Sequence, residues 1–196
     1  MRTNFQNCFP LRPARVHEAC GPGAASFAAV AMARADAVFW VFEAWRTEMI
    51  NPQGLTGFFD PAKLVLARAA DQTDSLAVTE EALKDGAIPL VVIETTRPLN
   101  LREGRRLQLA ARAGNTTGLC LIPEGMGSNA TETRWHCAPV FEADGGAFDS
   151  TLQCWTLMKN KSGTIGCWHV RWDAAARRLD VVSPVAQRPG PAGAPD

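Results

Sequence analysis

The residues most suggestive of chemistry lie in RVHEACGPGAASFAA, from Arg15 to Ala29. This segment predicts a short strand, a Gly-Pro-Gly turn and an alanine-rich helix, the element order of a phosphate-binding loop. In its Walker A form, G-x-x-x-x-G-K-[ST], backbone N–H groups wrap the phosphates, lysine reaches the terminal ones, and the hydroxyl holds magnesium. With Gly21 as the first glycine, Ser26, Phe27 and Ala28 stand where Gly, Lys and Ser/Thr are required.

The turn keeps Gly21, Pro22 and Gly23 but has lost the residues that carry charge. Charge-assisted hydrogen bonds contribute roughly 1.5 to 3 kcal/mol each, so the missing lysine and hydroxyl cost about 3 to 6 kcal/mol. That loss equals roughly two to four decades of nucleotide affinity. We also expect Phe27 to place an apolar ring where a polyanion would sit. The sequence predicts a degenerate Walker A loop without ATP chemistry, and a plain strand, turn and helix is the simpler alternative.

Two acids end apolar runs further along the chain. Glu43 closes AVFWVFE and Glu94 follows PLVVI, and both runs are typical of buried strands. The carboxyl ends of parallel strands form the ligand-binding edge of open α/β sheets, so this pair could hold a metal or a water. Without the lysine and the hydroxyl there is no phosphate to act on, which favours structural roles over catalysis.

Basic residues form two further groups. The first follows Glu94, and three of its members share one helical face; it comprises Arg97, Arg102, Arg105 and Arg106. It is a candidate DNA or partner patch, and a solvated helix surface is the alternative. The second group, Lys159 and Lys161, lies in a predicted turn and is either an ordinary exposed pair or a partner contact.

Composition limits the function classes. A chain of 196 residues with 46% hydrophobic content suits one domain with a core. Its 20 basic and 20 acidic residues cancel, which excludes a global field that attracts nucleic acid or membranes. The longest apolar run, AVFWVF, is too short to span a bilayer, so we expect a soluble, cytoplasmic protein with no membrane partner.

The six cysteines show no paired spacing and are typical of buried thiols in a reducing compartment. A metal site on neighbouring strands would need Cys137, Cys167, His136 and His169 to meet. The chain has no C-x-x-C motif, so core cysteines are favoured, and we predict no metal and no cofactor.

Up to Ile122 the patterns alternate between strand and helix. The predicted strands are Val16 to Cys20, Ala37 to Glu43, Leu64 to Arg68, Pro89 to Thr95 and Gly118 to Ile122, and the helices are Ala24 to Arg34, Asp74 to Asp85 and Arg102 to Ala113. Alternation of this kind predicts a parallel sheet covered on both faces. Three later strands without helices, Glu132 to Val140, Thr151 to Asn160 and Gly166 to Asp173, predict an antiparallel extension.

The predicted fold class is therefore α/β, with a mostly parallel sheet, flanking helices and a C-terminal antiparallel extension. We expect residues 1–13 to form an N-terminal leader and residues 14–182 to form the domain. Residues 183–196, rich in Pro, Gly and Ala, are expected to be a disordered tail.

This order of elements resembles the RecA-like ATPase core of the recombinase family, a P-loop NTPase fold, from about Ala14 to Asp173. By that resemblance, Glu43 matches the acid that polarises the attacking water, and Glu94 replaces the Asp that supports magnesium. LMKNK resembles the family's lysine-asparagine-lysine turn, whose lysines, here Lys159 and Lys161, reach the ATP of a neighbouring subunit. The arginines after Glu94 lie where recombinases place a DNA-contacting loop.

The compact chain and degenerate loop resemble the ImuA family, most specifically in RVHEACGP, RRLQLAA and ETRWH. This resemblance implies a non-catalytic accessory protein of the SOS response to DNA damage, acting in DNA repair, SOS mutagenesis and error-prone translesion synthesis. The implied partners are RecA and/or an inactive Y-family polymerase relative and an error-prone replicative polymerase, with DNA contact weak at most. Two alternatives stay open: a degenerate ATP-binding sensor or weak ATPase, and a division inhibitor of the SulA type, which shares the fold and the degeneration.

Overall fold

A computed structural model describes residues 4–141 and 152–184. Within them the strands are β1 Val16–Cys20, β2 Val38–Glu43, β3 Leu64–Ala69, β4 Leu90–Glu94, β5 Thr117–Leu121, β6 Thr133–Pro139, β7 Leu152–Asn160, β8 Gly166–Asp173 and β9 Arg178–Pro184. The helices are α1 Ala24–Met32, α2 Pro52–Leu55, α3 Gln72–Asp85 and α4 Leu101–Ala113, and two 3₁₀ turns cover Phe5–Asn7 and Pro61–Lys63. All nine strands join one sheet in the order β3-β2-β4-β5-β1-β6-β7-β8-β9.

Six of these strands, from β3 across to β6, run parallel. Helix α1 packs on one face of the sheet, and α3 and α4 pack on the other. Because both faces are covered, the central strands are largely buried, and all five residues of β1 are buried. The arrangement confirms the predicted α/β class, with its mostly parallel sheet and flanking helices.

The remaining strands β7, β8 and β9 continue the sheet by antiparallel pairing, which confirms the predicted C-terminal extension. The ninth strand was not predicted. It ends at Pro184, two residues beyond the expected end of the domain, so the start of the expected tail belongs to the sheet. Residues 185–196 of that tail, like Thr151 of the predicted seventh strand, lie outside the described residues.

The segment expected to be a leader contributes to the core. Phe5 and Phe9 are both buried, at 8% and 4% exposure. The Phe9 ring lies 5.3 Å from the Trp155 ring and 5.7 Å from the Phe27 ring, between centroids. Large aromatic side chains stabilise a core through area and edge contacts, so these rings tie the N-terminal segment to the sheet. The part of the leader from residue 4 onward is thus integral to the domain, and residues 1–3 are outside the described range.

Helices α3 and α4 begin and end as their capping residues dictate. The Asp71 carboxylate accepts the backbone N–H of Asp74 at 3.0 Å, and Gly86, with φ +78°, ends α3 in the left-handed region. Asn100 and Glu103 form a capping box at the start of α4. Both helices connect parallel strands, so they run side by side in the same direction.

Within the described residues, no helix combines the length and apolar character needed to cross a bilayer.

Candidate functional site at the carboxyl edge of the sheet

The turn after β1 is short and tightly packed. Gly21 has φ +88°, and a Cβ atom there would lie 2.5 Å from the carbonyl oxygen of Cys137 in β6. Only glycine fits this combination of left-handed backbone and close approach. Helix α1 starts at Ala24, so Ser26 and Phe27 lie in its first turn and not in an open loop.

Three backbone N–H groups of this turn and the start of α1, those of Gly23, Ala24 and Phe27, are bonded inside the chain. Gly23 donates to the carbonyl of Cys137 at 2.8 Å, and Ala24 donates to the carbonyl of Gly21 at 3.0 Å. Pro22 has no N–H, and Phe27 donates to the carbonyl of Gly23 at 2.9 Å. A phosphate-binding loop needs these groups to point at the ligand, because they replace the hydration of the anion. We call this arrangement the closed turn.

Phe27 does not lie where we expected it. Its side chain is fully buried, with ring centroids 4.6 Å from Trp155 and 5.5 Å from Trp135. The first turn of α1 directs this side chain onto the sheet, away from the mouth of the turn. The residue at the position of the Walker lysine is therefore part of the core.

The two strand-ending acids are each held by an indole. Glu43 accepts from the Thr96 hydroxyl through one oxygen and from the Trp45 indole at 2.7 Å through the other. Glu94 accepts from the Trp40 indole at 2.8 Å and from the Arg46 guanidinium at 2.6 Å. The structure thus places both acids at the predicted edge, and every carboxylate oxygen has a donor from the chain.

Beside Glu94 lies a cavity of about 400 Å³. Polar and apolar groups share its wall, which includes Arg46, Glu94, Trp40, Met49, Ile50 and Pro123. Sequence analysis did not identify Arg46, because its partner is 48 positions away and is brought close only by the pairing of β2 with β4. Arg46 places a cation in the wall of the cavity, and the Glu94 carboxylate neutralises its charge.

Gln72 is a second residue that the sequence did not reveal. Its amide oxygen accepts the backbone N–H groups of Thr96 and Arg97, both at 2.8 Å, and its amide nitrogen donates to the Arg97 carbonyl at 3.1 Å. The side chain is buried, at 4% exposure. It fixes the segment after β4 and so sets the start of the arginine group.

The four candidate arginines fall into two classes. Arg97 binds the Glu103 carboxylate with both guanidinium nitrogens, which raises the pKa of Arg97 and lowers the pKa of Glu103. Arg106 pairs with Glu80 of α3. Arg102 and Arg105 are exposed and have no ion pair within the described residues. Two of the four are therefore structural, and two remain open to a ligand or partner.

The lysine turn, which carries Lys159 and Lys161, lies at the opposite ends of the strands from the closed turn. Lys159 donates to the carbonyls of Ser128 and Asn129 at 3.0 and 2.8 Å, and Lys161 donates to the carbonyl of Ala130. Desolvation lowers the pKa of Lys159. These residues lie beside the start of β6, whereas Gly21 follows the end of β1, which runs parallel to β6. A lysine from this turn could meet a phosphate at the carboxyl edge only in a second subunit.

A buried polar cluster near that end was missed as well. Glu18 is fully buried in β1 and accepts from the Arg134 guanidinium at 2.7 Å and from the Ser128 N–H at 2.8 Å. The neighbouring His17 is also fully buried, between the Thr133 hydroxyl at 2.7 Å and the Arg12 carbonyl at 3.0 Å. A charged residue inside an otherwise buried strand is the signal that could have identified this cluster.

The cysteine and histidine alternatives do not converge on a metal. Cys137 is buried, which raises the pKa of its thiol, and His136 contacts Glu124 at 3.0 Å. Cys167 lies 3.2 Å from Cys154, sulfur to sulfur. Across the described ranges, no group of three His, Cys, Asp or Glu side chains is arranged to hold a metal ion.

Comparison with known proteins relates part of this chain to curated proteins. No family model matches the chain. Protein ImuA from two strains of Caulobacter vibrioides is 34% identical over 116 residues, covering 53% of this chain and 46% of the relative. The chain thus spans about half the length of the curated relatives it matches. Over that half it is similar to Protein ImuA, which confirms the resemblance to the ImuA family expected from its motifs.

Proposed function

We propose that this chain is a non-catalytic accessory protein of DNA-damage-induced, error-prone DNA synthesis that acts through protein contacts. The closed turn carries the proposal, because the N–H groups of Gly23 and Ala24 are bonded within the chain and the Walker lysine is replaced by the buried Phe27. The similarity to Protein ImuA supports the assignment to a mutagenesis system.

The proposed partners are RecA and/or an inactive Y-family polymerase relative and an error-prone replicative polymerase. The family resemblance supports them. The position of the lysine turn is compatible with such a contact, because Lys161 is exposed at the edge opposite the closed turn. Arg102 and Arg105 leave a weak DNA contact open.

Replacing Glu43 by glutamine tests whether the carboxyl edge does catalysis. Glutamine keeps one acceptor for Trp45 or Thr96, so we expect a loss of stability of about 1 kcal/mol or less. In a strain that lacks the gene, both the wild-type protein and Glu43→Gln should restore damage-induced mutation frequency to within about twofold of each other. Mutation frequency after DNA damage, at matched protein levels, is the measurement.

Ser26→Ala is the matched control, because Ser26 lies in the same region and is only partly exposed. Loss of mutagenesis in Glu43→Gln with Ser26→Ala unaffected would contradict the non-catalytic role. Failure of the wild-type chain to restore mutagenesis would contradict the proposed process itself. Filamentous cells on overexpression would point instead to the division-inhibitor alternative.

A further inference from the structure

Helix α4 presents unpaired cations on the side away from the sheet. Arg102, Arg105 and Arg112 are exposed and form no ion pair within the described residues. Leu109 lies among them and is 67% exposed. All four project from the side of the helix opposite Leu107, which is buried in the core.

Helix α3 presents the complementary pattern. Its N-cap Asp71, together with Asp74 and Glu81, is exposed and has no ion pair in the part of the chain that the structure describes. Val78 lies among these acids and is 37% exposed. We call the exposed sides of the two helices together the α3–α4 face.

The two patterns have the same spacing. Each basic or apolar member on α4 lies 31 positions after an acidic or apolar counterpart on α3. The pairs are Asp71 with Arg102, Asp74 with Arg105, Val78 with Leu109, and Glu81 with Arg112.

Within one chain, residues of α3 and α4 that are 31 positions apart lie at the same height along the two helices. Gly114 follows Leu83 by 31 positions, and a Cβ on Gly114 would lie 2.0 Å from the Leu83 carbonyl oxygen. Because the helices run in the same direction, a twofold axis parallel to them places α3 of one copy over α4 of another at the same height. Residues 31 positions apart then face each other across the two chains, so Asp71, Asp74 and Glu81 each meet a basic residue of α4 from the other copy.

We propose that the chain forms a homodimer through the α3–α4 face, about a twofold axis parallel to the helices. Each of the three charge pairs and the Val78–Leu109 contact then occurs twice. This interface is independent of the proposed function. The acidic helix beside the arginines also disfavours a nucleic acid backbone, whose phosphates would face Asp74 and Glu81.

The proposed interface is small, so the dimer is expected to be weak. Helices of 14 and 13 residues are about 20 Å long, so two of them per subunit give a contact at the low end of specific interfaces. Exposed ion pairs are screened by salt. We therefore expect a reversible monomer–dimer equilibrium that shifts toward monomer as salt is raised.

Sedimentation of the full chain over a concentration series at low salt tests the proposal. Arg112→Glu should raise the dimer dissociation constant roughly tenfold, because two attractive pairs per dimer become repulsive. Glu81→Arg alone should act in the same direction. The double variant Glu81→Arg/Arg112→Glu should restore dimerisation, because it recreates both pairs with reversed sign. The Asp74 and Arg105 pair provides a second, independent exchange.

Arg34→Glu is the matched control, since Arg34 is exposed after α1, on the other face of the sheet, and lacks an ion pair within the described range. A single monomeric species at every concentration would overturn the proposal. So would a dimer that Arg112→Glu leaves unchanged, or one that neither exchange restores while circular dichroism shows folded protein. Duplex DNA binding by a monomer that Arg112→Glu abolishes would overturn it in favour of a DNA patch.

Discussion

Replacing Phe27 by alanine should lower the free energy of unfolding by about 3 to 5 kcal/mol. The side chain is fully buried and its ring contacts Phe9, Trp135 and Trp155. Truncation removes buried apolar area and leaves a cavity among large rings that have little freedom to close it. Urea unfolding of both proteins under reducing conditions measures the difference.

Ser26→Ala is the control for the helix itself, because it changes the adjacent position of α1 and removes no buried group; we expect a change within about 0.5 kcal/mol. A lysine at Phe27 would bury its ammonium group among the same rings, so a restored Walker residue should destabilise the domain without creating a nucleotide site. If Phe27→Ala unfolds at nearly the wild-type urea concentration, this residue does not have the core role assigned to it.

Acidification should remove roughly 3 kcal/mol of stability through His17 alone. Burial lowers the pKa of His17 to about 4 from its ordinary 6.5, partly opposed by the hydrogen bond to the Arg12 carbonyl and by the Glu132 charge. The Trp135 indole donates to the Thr133 hydroxyl, which leaves that hydroxyl to donate to Nδ1 of the neutral ring, while Nε2–H donates to the Arg12 carbonyl.

The sign follows from the lowered folded-state pKa. The unfolded chain takes up a proton near pH 6.5, whereas the folded chain resists it until about pH 4. Stabilisation by neutral His17 is therefore complete above pH 6.5 and is lost as the pH falls toward 4. Unfolding free energies measured from pH 7.5 to 4 for the wild type and for His17→Asn isolate this contribution. Parallel pH profiles for the two proteins would contradict the assignment.

The local pattern of the sequence was sufficient for most of the parallel sheet. The apolar runs that end at Glu43 and Glu94 predicted β2 and β4, because near-continuous apolar runs are typical of strands covered on both faces. Gly86 predicted the end of α3, where a left-handed residue is required. β9 was missed because its short run of valines lies next to the Pro- and Gly-rich segment that suggests a tail.

The partners of the polar residues could not be predicted, because they depend on strand order. Glu18 and Arg134 are 116 positions apart and meet only since β1 pairs with β6. Arg46 and Glu94 meet only since β2 pairs with β4. Spacing identified the two acids as strand ends, but apart from Trp45, which is local to Glu43, the donors that occupy them come from tertiary packing.

The N-terminal segment shows the same limit. MRTNFQNCFP contains no helical or strand period, so Phe5 and Phe9 gave no reason to place it in the core. Their role depends on contacts with the tryptophans of the antiparallel strands, among them Trp155 of β7. The predicted α/β class was nevertheless correct, because the alternation of strand and helix that defines it is local.

Calorimetric titration of the full chain with Mg-ATP tests the central claim most directly. In the closed turn the N–H groups of Gly23 and Ala24 are bonded within the chain and Pro22 has none, and both strand-ending acids are occupied by donors of the chain. We predict no binding tighter than roughly millimolar, or about −4 kcal/mol. A dissociation constant in the micromolar range would contradict the account, because it would require the turn after β1 to open and bind phosphate.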